Sequence, residues 1–114
     1  MARKKTPLTS SPPYAVEQAL SRLGANLRTA RLRRNLTIEE VAEKIGSGRR
    51  AVMDAEKGKG STGSAVYVAL LWAYDLLEHL RDVADPAADA EGLALSLSRE
   101  RARGGAKDGL DSDF

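Results

Sequence analysis

The chain has 114 residues, 42% of them apolar and 30% charged, which supports one small domain with tails and leaves little room for an elaborate enclosed active site. With no cysteine and a single histidine, His79, it cannot build a disulfide framework, a cysteine nucleophile or a zinc site of clustered Cys and His, so no metal or cofactor is expected and enzyme is the least favoured class. The net charge of +2 hides a split: residues 1–60 carry 13 Lys or Arg against 6 Asp or Glu, a net +7, whereas residues 61–114 carry 5 against 10, a net −5. A polyanion is therefore attracted to the first half and repelled by the second.

Residues 1–13 combine Arg3, Lys4 and Lys5 with Pro7, Pro12 and Pro13 and almost nothing apolar, so a disordered basic arm is expected. It is either a plain solvated terminus or an arm lying along phosphates. The stretch lacks the apolar middle of a signal peptide, and no apolar run reaches the roughly 18 residues of a membrane helix, which points to a cytoplasmic protein with no membrane partner. Residues 14–34 follow as the first helix, because Val16, Leu20, Leu23, Leu27 and Ala30 recur by steps of four and three. Arg28, Arg31, Arg33 and Arg34 crowd its end, where cations suit the negative terminus; Arg33 is also a candidate phosphate contact.

Residues 37–59, TIEEVAEKIGSGRRAVMDAEKGK, read as two short helices joined by a tight turn. Thr37 can cap the first, Glu39 and Glu40 suit its positive start, Val41, Ala42 and Ile45 form its apolar stripe, and Gly46 ends it in a left-handed conformation. The second helix spans residues 49–57 with only Val52 and Ala55 turned inward, while small Ala42 lets the two axes cross closely. Arg49, Arg50, Met53 and Lys57 then share an outward face that core formation does not use. An arginine at the start of a helix in the DNA major groove can grip guanine O6 and N7 with two N–H bonds, and Met53 can touch a thymine methyl. The alternative is a solvated charged face with Arg50 and Asp54 as an ordinary i,i+4 pair. Lys57 and Lys59 stand in a short basic loop whose glycines, Gly58 and Gly60, let backbone N–H groups approach phosphate oxygens, and both lysines are expected on phosphates.

From Ser64 a further apolar helix runs to about Leu80, broken near Tyr74 and Asp75 into a fourth and a fifth helix. It is apolar almost all round, more than one small domain can bury, so Tyr67, Leu71 and Trp72 are assigned to a dimer or partner surface; core filling is the alternative for Trp72. Asp85 and Pro86 end this domain. The alternation of LALSLS at residues 93–98 suggests a short strand in which Leu93, Leu95 and Leu97 meet a second copy of the chain, with a frayed helix as rival. Residues 99–113 are charged and glycine-rich and are expected to be disordered, ending on Phe114, the only phenylalanine, which can anchor the tail in a partner's pocket. The expectation is thus an all-α, compact five-helix domain over residues 14–84, an arm over 1–13 and an acidic extension over 85–114.

The run LGANLRTARLRRNLTIEEVAEKIG followed by RRAV and AEKGK resembles the XRE, or Cro-like, repressor helix-turn-helix family over residues 23–80. The family shares an LGxxLRxxR opening, an LTxEEVAEKxG helix and an ExGK ending. The chain departs from it where Ile38 replaces a usual Gln, Ser47 an apolar residue, Gly48 a Ser and Ala55 a frequent Trp. The resemblance implies a DNA-binding repressor with a structural salt bridge between Arg31 and Glu56. Thr37, Ser47 and Gly48 join Lys57, Lys59 and Arg33 as expected phosphate contacts. The later run STGSAVYVALLWAYDLLEHLRDVADPAADAEGLAL is similar to the downstream half of HipB-like antitoxins, the DNA-binding partners of HipA-type kinase toxins. That resemblance implies double-stranded operator DNA, a second copy of the chain and a HipA-like kinase as partners. An adaptor that keeps the fold but has lost operator reading is the alternative.

Overall fold

A computed structural model describes residues 7–107, and all of their regular structure is helical, with no strand among the described residues. Residues 1–6 and 108–114 lie outside them, and with them fall the arm's cations Arg3, Lys4 and Lys5 and the expected Phe114 anchor. The order is α1 (Pro7–Ser10), α2 (Tyr14–Arg33), α3 (Ile38–Ile45), α4 (Arg49–Glu56), α5 (Ser64–Ala73), 3-10 segments at Leu77–Asp82 and Pro86–Ala88, and α6 (Ala90–Lys107). The chain forms two compact units, residues 1–78 and 79–114.

The first unit packs α2, α3, α4 and α5 around Leu27, Ala30, Val41, Ala42, Val52, Ala55, Tyr67, Leu70, Ala73 and Tyr74, all nearly or fully out of solvent. The helix breaks have local causes. Asn35 takes a φ of 57° to close α2, and Asp75 takes 63° to close α5, both residues whose short polar side chains tolerate that region. At the second break Leu76 N–H donates back to the Leu71 carbonyl at 2.8 Å, which turns the chain directly after Tyr74 and leaves that ring fully buried. Of the apolar face expected on α2, Leu20 and Leu23 are partly buried, whereas Val16 lies outside the core.

Five expectations are corrected. Residues 7–10, expected in the disordered arm, form one helical turn. The expected fifth helix is a 3-10 segment, with Leu77 and Leu80 exposed. Residues 93–98 are helical rather than extended, and α6 continues to Lys107 through much of the expected disordered tail. Asp89 accepts from the Gly92 N–H at 2.9 Å at the start of α6, and the run of Ala, Leu, Arg and Glu that follows favours a helix, while a six-residue strand would find no other strand to pair with among the described residues. Leu93 and Leu97 then fall one helical turn apart and Leu95 on the opposite side, all three exposed. Finally, Tyr67 belongs to the core and not to a partner surface: its ring is buried and its hydroxyl donates to the Lys59 carbonyl at 3.0 Å.

Candidate nucleic-acid interface

The site is built on α3, a tight turn and α4. Thr37 starts α3 with a capping box, in which its hydroxyl accepts from the Glu40 N–H at 3.0 Å and its own N–H donates to the Glu40 carboxylate at 2.8 Å. The capping box uses the Thr37 hydroxyl as an acceptor and not as a donor. Gly46, at φ 76°, ends α3, and the Ser47 N–H reaches back to the Ala42 carbonyl at 2.9 Å. Gly48 is the cap residue of α4, in extended conformation and with no side chain to accept from the helix.

Val52 and Ala55, both at 0% exposure, press α4 onto the core. Its end is clamped from behind. Arg31 Nε donates to Glu56 Oε2 at 2.7 Å, its Nη2 to Glu56 Oε1 at 3.1 Å and its Nη1 to the Leu36 carbonyl at 3.0 Å. Both side chains are less than a tenth exposed, and the hydrogen bond to Glu56 raises the Arg31 pKa above its already high ordinary value. The fork geometry uses both carboxylate oxygens, which fixes the rotation of α4 about its axis as well as its distance from α2.

Two glycines complete the clamp. A Cβ on Gly24 of α2 would stand 2.6 Å from the Ala55 and Glu56 carbonyl oxygens, and one on Gly58, at φ 71°, would stand 2.4 Å from the Leu20 carbonyl oxygen. The loop glycine therefore serves contact with α2. Its N–H does not face phosphate, because those of Lys57, Gly58 and Lys59 all donate to carbonyls of Met53, Asp54 and Ala55. The loop's cationic side chains, Lys57 and Lys59, are exposed.

On the far side of α4 the helix presents Arg49, Arg50 and Lys57, exposed, and Met53, half-buried. The structure thus brings Arg49, Arg50 and Met53 onto one face, with Ser47 and Gly48 leading into it. Arg33 is exposed at the end of α2, four residues ahead of Thr37. Asp54 is paired with Lys59, Nζ to Oδ1 at 3.5 Å, rather than with Arg50. A second pair, missed by sequence reasoning, joins Arg49 Nε to Glu39 Oε2 at 3.2 Å across the two helices. No spacing rule for one helix finds a contact between the starts of two.

Away from this face, Trp72 is 54% exposed and carries the Lys44 ammonium 5.7 Å from its ring centroid, while Leu71 is half-buried. The Arg34 guanidinium lies 5.7 Å from the ring centroid of Tyr74. Arg34, Lys44, Trp72 and Tyr74, with Ala73 and Asp75, line an open groove of about 520 Å³. Burial pushes the Tyr74 hydroxyl up to about 12, and that hydroxyl has no hydrogen-bond partner among the described residues.

A capped helix, a glycine turn and a second helix whose cationic face is aimed outward by a buried clamp define a DNA-binding regulator of the helix-turn-helix class. The chain matches the model of the helix-turn-helix domain over residues 22–84, more than half its length, and belongs to that family. No curated protein and no solved structure matches it. Among the described residues no helix is long and apolar enough to cross a membrane.

Proposed function

We propose that the protein is a transcriptional repressor that reads a palindromic operator as a homodimer and is the antitoxin of a pair whose toxin is a HipA-like kinase. The observation that carries the DNA half is the outward face of α4: Arg49, Arg50 and Met53 stand where the core makes no use of them, on a helix held rigidly by Arg31 and Glu56. In this reading Arg49 and Arg50 grip guanine edges and Met53 meets a thymine methyl, while Thr37, Ser47, Gly48, Arg33, Lys57 and Lys59 lie along phosphates. A two-fold dimer sets two copies of α4 about 34 Å apart, in successive major grooves.

The partner half rests on exposed apolar surface and on the similarity of residues 61–95 to HipB-like antitoxins. Trp72 with Leu71 in the first unit, and Leu93, Leu95 and Leu97 on α6 in the second, are the surfaces assigned to a second copy and to the toxin. The test is a gel shift with the DNA upstream of the gene, run with and without the product of the neighbouring reading frame. A retarded band that the neighbouring product shifts further supports both halves. No shift with any DNA, together with capture of that product, would replace the repressor by the adaptor reading. Deleting residues 105–114 should lower toxin affinity and leave operator affinity unchanged if Phe114 anchors the tail.

A further inference from the structure

The ion pair between Arg49 and Glu39 has no evident structural purpose. The two residues are 61% and 63% exposed, and α3 is already capped by Thr37 and Glu40. An ion pair so open to water contributes almost nothing to stability. Yet it joins the first turn of α3 to the first turn of α4, at the point where the proposed reading face begins.

Its geometry suggests what it does. Glu39 Oε2 stands 3.2 Å from Arg49 Nε, so the carboxylate sits on the Nε side of the guanidinium, and the outer N–H groups of the two terminal nitrogens can still meet a base edge as a pair. A long arginine at a helix start, if untethered, has the rotamer freedom to fall onto the nearest phosphate, a contact that carries no sequence information. A carboxylate on its Nε edge removes much of that freedom. It also places a negative charge that phosphate oxygens avoid and base edges tolerate.

We infer that Glu39 is a positioning residue that fixes the Arg49 fork on a base edge, and so determines sequence specificity at the base pair Arg49 reads. This deepens the DNA reading above and rests on it. Among the described residues no ion pair ties Arg50 to α3, so its guanine contact in this reading lacks such support.

The experiment is selection of the full-length protein on a randomised duplex library, with the bound fraction sequenced, for the wild type, Glu39→Ala, Glu39→Gln, Arg49→Ala and the double variant Glu39→Ala/Arg49→Ala. Glu39→Ala should weaken discrimination roughly fivefold or more at the same base pair that Arg49→Ala relaxes, since a well-held bidentate contact is worth about that much or more. The double variant should be no less selective there than Arg49→Ala alone. Glu39→Gln, which keeps an acceptor for Nε but drops the charge, should retain the preference and bind all duplexes more tightly. Thermal melting of the Glu39 variants should match the wild type, which separates positioning from folding. If Glu39→Ala keeps the wild-type preference, or relaxes a base pair that Arg49→Ala leaves intact, the inference is wrong while the DNA reading stands. If the wild type itself selects no sequence, both fall.

Discussion

The Arg31–Glu56 clamp gives the most quantitative expectation. Both side chains are less than a tenth exposed, and the arginine satisfies three acceptors, two on Glu56 and one on the Leu36 carbonyl. Truncating Glu56 to Ala strands a guanidinium that has little access to water, and the expected cost is about 3–5 kcal/mol. Arg31→Ala should fall at the upper end, because it strands the carboxylate and also removes the donor to Leu36. A domain of this size has a total stability of only about 5–15 kcal/mol, so either variant should lose a large share of it. Replacing both residues together, as Arg31→Met/Glu56→Leu, leaves no orphaned charge and should recover most of the loss. The assay is urea unfolding followed by circular dichroism, with the slope checked so that a change in midpoint reads as a change in stability. A coupling of roughly 2–3 kcal/mol between the two sites is expected. If each single truncation costs under about 1 kcal/mol and the double is their sum, the pair is screened by water and the account of how α4 is held fails.

Gly24→Ala and Gly58→Ala should each destabilise by about 1–3 kcal/mol or more, since their Cβ atoms meet backbone at 2.6 Å and 2.4 Å, whereas Gly48→Ser meets nothing and should stabilise by a few tenths as a helix cap; melting temperatures decide between these. Tyr74→Phe should be neutral or stabilising by about 1 kcal/mol, because it removes a buried hydroxyl with no partner. In the wild type the Tyr74 pKa, raised from 10.0 to about 12 in the folded state, contributes stability that is complete below pH 10 and lost as pH rises toward 12; Tyr74→Phe should remove that part of the alkaline loss, roughly 2–3 kcal/mol, in melts across the range. On DNA, Arg50→Ala should cost about 1–3 kcal/mol and relax preference at one position, while Lys57→Ala should weaken all sequences evenly and reduce the salt slope by about 1 in titrations at several salt concentrations.

The helix-turn-helix was legible because its signals are local. Thr37, Gly46 and the apolar stripe of Val41, Ala42 and Ile45 each act within a turn or two of chain, and the caps and the turn stand where those residues place them. What escaped depends on contacts between elements. Gly58 reads in sequence as a flexible loop residue near phosphate, but its role is set by the Leu20 carbonyl on another helix. Tyr74 stands at a helix break, and only the left-handed Asp75 after it, folding the chain back, makes it a core residue. Tyr67 failed for a related reason: on a helix apolar all round, periodicity does not say which side faces inward. LALSLS misled because three cycles of alternation are also compatible with a helix, and the propensity of the surrounding ERAR and Ala residues outweighs them. The Glu39–Arg49 pair was not foreseen, since neither helix alone brings those residues together.

In the proposed function the outward face of α4 reads DNA sequence. This reading is tested most directly by fluorescence anisotropy titration of the full-length protein against a duplex from the region upstream of its gene and against a scrambled duplex of equal length, at one fixed salt concentration. The expected result is binding to the upstream duplex at least about a thousandfold tighter than to the scrambled one, with most of that ratio lost in Arg49→Ala/Arg50→Ala. Equal affinity for both duplexes, or a ratio that survives the double substitution, would contradict it.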